Sequence, residues 1–213
     1  MSALAEHVAP AFGLGFALGA APGPIQLLIL GETAKRGFSG GLRVMAGANG
    51  TLFAVMVALA LGFSSFTPGE TALRVLRIGG GLFLVWLGIQ EARSLSRKAS
   101  TGAAPEAERS GLGPAARGVL GVMLNPGAWI FFATTAASVV ASASADGGIA
   151  TALLSATAMT VGVSASDTSF TLLGSAGRRL FGDRGLRGIR IALAIGLAAI
   201  GAAFVVGGIA AGG

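Results

Sequence analysis

Cysteine is absent from the 213 residues, and histidine occurs once, at His7. Without thiols there is no disulfide framework and no thiolate metal site. A single imidazole cannot build a His/Cys cluster for a transition metal either. Charge is also scarce: Asp, Glu, Lys and Arg make up 11% of the chain, against about a quarter of an ordinary soluble domain. That composition excludes a water-soluble fold. In its place stand the charge-free runs 8–31, 44–69, 118–145 and 191–213, each longer than the ~20 residues that span a bilayer as helix. The net charge of +6 is no nucleic-acid signal, because the basic residues sit in short segments beside apolar runs rather than in one patch.

The pattern predicts an all-α, polytopic membrane protein with six transmembrane helices, at about 8–31, 42–65, 72–91, 116–142, 148–175 and 188–211. The apolar N-terminal run is read as the first span and not as a signal peptide, since Glu6 and His7 precede it without a Lys or Arg. Loops one, three and five hold 13 of the 15 basic residues. The positive-inside rule therefore places those loops in the cytoplasm and both termini outside. The one long connection is rich in Ser, Ala, Gly, Pro and Glu and reads as a flexible cytoplasmic linker, residues 93–115, between a first three-helix half (1–92) and a second (116–213). Three spans on each side of it imply halves of opposite orientation, a 3+3 inverted repeat. Corresponding breaks support this, at Pro22-Gly23-Pro24 in the first span and Asn125-Pro126-Gly127 in the fourth.

Open backbone is tolerated in a bilayer only where protein buries it or where it lines a watery cavity, and transporter substrate sites are built there. Helix rise places Pro24, Asn49, Asn125 and Asp167 in one layer, about 9–16 Å from the basic edge. Asp167 is the sharpest signal, the only acid between Gly147 and Gly177, because ionisable groups inside spans usually face a cavity and serve an ion or substrate pathway. The candidate substrate-binding residues are Pro22, Gly23, Pro24, Gln26, Asn49, Asn125, Pro126 and Asp167. The bland alternatives are structural: an acid held by hydrogen bonds, asparagines bonding between helices, and a Gly15/Gly19/Gly23 stripe used for packing.

An enzyme is not expected. The serines of Gly162-Val163-Ser164-Ala165-Ser166 have no base within reach, since His7 lies at the far end of the first span. Asp167 lacks the second carboxylate that an aspartyl protease requires.

Several segments carry a resemblance. The run from Gly15 through Pro22-Gly23-Pro24, the turn Thr33-Ala34-Lys35-Arg36-Gly37 with Gly41-Leu42, the third-span pieces Leu76 to Gly81 and Trp86 to Ile89, and Leu124 to Phe132 around Asn125-Pro126-Gly127 resemble the lysine exporter (LysE/RhtB) family of amino-acid translocators. The resemblance implies a bacterial inner-membrane exporter of amino acids or related small metabolites with six hydrophobic segments. Gly127 stands where that family's Asn-Pro-Lys-Ala motif has its lysine, Thr51 follows Gly50 where many members carry an acid, and Ala133 to Val140 replaces the family's usual ending of the fourth span.

The function expected is secondary, proton-coupled export. A channel or small-ion permease is the alternative, and a membrane interaction or assembly protein is a further one. The expected partners are the lipid bilayer, a small-molecule substrate, a coupling proton and a second copy of the chain, with no nucleic acid and no cofactor.

Overall fold

The structure is a computed structural model that describes residues 3–21, 23–62, 69–101, 112–180 and 182–210. Pro22 lies outside the described residues. Those described are almost all helical. The first predicted span is two helices, α1 (Ala3–Ala20) and α2 (Pro24–Arg36), which meet at 66°. Pro24 opens α2 at its first turn, where its missing N–H has no intrahelical partner to lose.

Helix α3 (Phe38–Ala60) follows after one residue, Gly37, at φ 74° and ψ −167°. The basic loop expected between 31 and 42 is therefore a one-residue reversal, in a conformation open essentially only to glycine. Helix α4 (Glu70–Thr101) runs past the predicted end of the third span. The segment expected as a linker from residue 93 thus begins as helix, because Ser94 to Thr101 contains no Pro or Gly to stop it. At its other end, Arg74 Nε donates to the Gly208 carbonyl at 3.2 Å.

The second break separates α5 (Pro114–Met123) from α6 (Pro126–Phe131). Asn125 caps α6, its side-chain oxygen accepting the Gly127 N–H at 3.0 Å. A π-helical turn, Phe132–Ala136, leads into α7 (Ala137–Leu180), and α8 (Gly182–Ala210) completes the described fold. Within α7 the helix is interrupted at Gly148, φ 68° and ψ −171°.

Four helical stretches are long and apolar enough to cross a membrane: Phe38–Ala60, Glu70–Arg93, Pro126–Gly177 and Arg187–Ala210. The bent pair Glu6–Ala20 and Pro24–Arg36 makes a fifth. Six separate spans are predicted from the sequence; the count differs because Gly148 joins the predicted fourth and fifth into one 52-residue stretch.

Glycine sets the helix contacts. Gly15 packs on the backbone of Met159 and Gly162 on that of Phe12, so α1 runs parallel to the second arm of α7. Gly47 of α3 packs on Ala115 and Gly118 of α5 on Val44 in the same reciprocal way. Gly81 of α4 and Gly201 of α8 face each other's carbonyls. Backbones approach this closely only where no Cβ intervenes. One apolar core gathers Ala11, Met56, Phe132, Ala136, Ala156 and Met159. A second, toward the Lys35/Arg36 end, gathers Ile29, Val44, Leu84, Leu87 and Leu197. Outward faces stay apolar, with Leu173 and Val206 each 65% exposed, as lipid contact requires.

Candidate functional site

Beside the first core lies a cavity of about 290 Å³ where both helix breaks meet the middle of α3 and the second arm of α7. Gly23, Pro24 and Gln26 bring the first break to its wall, Asn125 the second, Asn49 comes from α3 and Asp167 from α7. Pro126 is buried at the first position of α6 and supports the wall without lining it. Much of the remaining surface is apolar, including Leu52, Val122, Phe131 and Phe132.

Asp167 has no solvent-exposed surface. Its Oδ1 accepts a long 3.4 Å hydrogen bond from Gln26 Nε2, which also donates to the Gly19 carbonyl at 3.0 Å. Asn49 lies beside the carboxylate, and its amide donates to Ser164 Oγ at 3.0 Å. Asp167 Oδ2 is buried and receives no hydrogen bond. Among the described lining residues Asp167 is the one ionisable side chain. A buried carboxylate without an ion-pair partner is costly to keep charged.

The structural alternatives hold in part. Asn49 makes an interhelical bond, Asn125 is engaged locally as a helix cap, and Gly15 and Gly19 serve close packing on α7, with a Cβ at Gly19 falling 2.9 Å from Ser166 Cβ. Gly127 does line the cavity, where an added Cβ would meet Asn125 Oδ1 at 3.2 Å. A long side chain at that position would occupy the space.

One turn from the cavity toward the basic end, the packing is solid. Ile29, Thr33 and Thr171 are fully buried, and Thr171 Oγ1 bonds back to the Asp167 carbonyl at 3.0 Å. Beyond them come two ion-pair clusters absent from the sequence reading. Glu32 of α2, 3% exposed, pairs with Arg36 at 3.0 Å and with Arg117 of α5. Glu91 of α4 pairs with Lys35 of α2 and with Arg190 of α8 at 2.6 Å. Each carboxylate therefore joins residues from before and after the 102–111 segment. The one sequence signal for them is an acid placed among basic residues at a helix end. At the opposite end, His7 Nε2 and Asp146 Oδ2 stand 2.9 Å apart.

Broken helices converging on an acid-bearing cavity inside an apolar-faced helical bundle are the architecture of a membrane transport protein. The chain matches the model of the LysE type translocator family over residues 16–208 and belongs to that family. Neither the curated proteins nor the solved structures compared with this chain include a match to it.

Proposed function

We propose that this protein is a secondary transporter that exports amino acids or related small metabolites across the bacterial inner membrane in exchange for protons. The observation that carries the reading is the cavity between the two breaks with Asp167 half-satisfied in its wall. One carboxylate holds either a proton or a cationic group, so the two ligands compete for it. Such exclusion couples their movement when the carboxylate faces each side in turn.

Alternating access requires two halves that rock against each other. The helix contacts support a 3+3 inverted repeat. A two-fold operation that exchanges the α1/α2 span with α5/α6, and α3 with the second arm of α7, would carry the Gly15/Gly162 crossing onto Gly118/Gly47. It would place the first break, eight residues after Gly15, on the second, eight after Gly118, and return the Gly81/Gly201 contact onto itself. With Gly148 as a turn between spans, the count becomes six, with loops one, three and five in the cytoplasm and both termini outside. Glu32 and Glu91 then close the cytoplasmic side.

The test is proton-driven export in cells and in proteoliposomes, with released metabolites measured without preselection. Asp167→Asn should abolish proton-driven export and retain some substrate exchange, and Asp167→Glu should keep part of the activity. Wild-type rate and pH dependence in Asp167→Asn would exclude the coupling role. Rapid uncoupled flux in the wild-type protein would favour a channel.

A further inference from the structure

We infer that the cavity recognises its cargo by a single ammonium group carried on a compact apolar body, and that a carboxylate on the cargo is not required. The inference deepens the transport reading above and rests on it. Asp167 Oδ2 is the feature that demands a partner: it belongs to a residue that lines the cavity, and it is buried without a hydrogen bond. A carboxylate left this way is stabilised by a donor that also carries positive charge, and an ammonium supplies both.

The opposite end of a zwitterion has no charged receptor: at the first break α2 offers only the backbone N–H groups of its first turn, and its first residue, Pro24, has none. No Lys, Arg or His is among the described lining residues. Of the basic groups nearest along the chain, Arg43 is exposed, Arg36 and Arg117 are ion-paired to Glu32, and Lys35 is ion-paired to Glu91. At the second break, the Gly127 N–H is already held by the Asn125 side chain. Leu52, Val122, Phe131 and Phe132 instead offer the cargo an apolar wall. A second charge on the cargo would be desolvated against that wall without a charged partner. The cavity of about 290 Å³ lies at the lower edge of known ligand sites, which start near ~300 Å³, a size that suits a short apolar body.

Three compounds of matched shape separate the groups: leucine carries both charges, 3-methylbutylamine only the ammonium, and 4-methylpentanoate only the carboxylate. Lysine adds a second cation. Binding to the full-length protein in detergent is read as a thermal-unfolding shift, and transport as counterflow in proteoliposomes. Leucine and 3-methylbutylamine should both stabilise the protein, while 4-methylpentanoate and lysine should not. Asp167→Asn should weaken amine binding about thirtyfold or more, as for loss of one partner of a buried charge pair, and Asp167→Glu should recover part of it. Stabilisation by the acid, binding of leucine without the amine, preference for lysine, or no shift with either amine compound would overturn the inference. Amine binding without any counterflow would instead leave the inference standing and sink the transport reading. Counterflow of leucine with none of the amine would do the reverse.

Discussion

Gly37 and Gly148 hold the same backbone conformation, φ 74° and ψ −167° against φ 68° and ψ −171°. Each joins two helices without any intervening loop. Side-chain-bearing residues scarcely populate this region, and holding one there costs about 1–3 kcal/mol. Gly37→Ala and Gly148→Ala should therefore each lower thermal stability in detergent by a similar amount. Gly31→Ala is the control, since Gly31 is helical and has open space around its missing side chain. Equal melting temperatures for all three variants would mean that neither reversal is specified by its glycine.

Topology is tested in the same Cys-free background. Cysteines placed at Ser100 and Ser142 should react with an impermeant maleimide from opposite sides of the membrane, Ser142 from outside. This follows from the two-ended charge distribution, with Lys35, Arg36, Arg117 and Arg190 at one end and His7 with Asp146 at the other. Labelling of both from one side would overturn the six-span arrangement.

The break after α1 is predicted to move during transport. Replacing Pro22 and Pro24 together by Ala restores backbone donors and favours a continuous helix. Export should slow severalfold while membrane insertion and expression hold. Wild-type export at normal expression would make the break incidental.

Glu32 holds α2 to α5 through Arg117 at the basic end, and this contact is predicted to gate the path to the cavity. Removing one partner of a buried ion pair typically costs about 3–5 kcal/mol, so Glu32→Gln should loosen this contact. A cysteine at Ile29, fully buried between cavity and ion pairs, should then label faster from the side that reaches Ser100, by about tenfold or more. Identical labelling rates with Glu32 intact and replaced would show that the ion pairs do not gate this path.

The membrane-spanning character was legible in one dimension, because a bilayer selects for long charge-free runs and those are visible without any contact map. The breaks were legible for a similarly local reason: Pro24 and Pro126 lack the N–H that a continuous helix needs. The grouping of Pro24, Asn49, Asn125 and Asp167 in one layer followed from helix rise alone. Helix rise gives depth and not direction, so it could not say which of them share a cavity.

Tertiary structure decided the rest. Gln26 and Asp167 are 141 residues apart, Glu32 and Arg117 85, and Glu91 and Arg190 99. No local periodicity pairs residues at such separations, so Glu32 and Glu91 find their partners only once α5 and α8 pack beside them. Among 36 glycines, only the folded backbone distinguishes Gly37 and Gly148, whose positive φ interrupts the helix, from Gly15, Gly47, Gly118 and Gly162, which let helices touch. Hydropathy and proline depend on each segment's own contact with lipid and its own hydrogen bonds, and the sequence determines these by itself. Pairing of charges and facing of polar groups depend on which helices become neighbours, which packing alone determines.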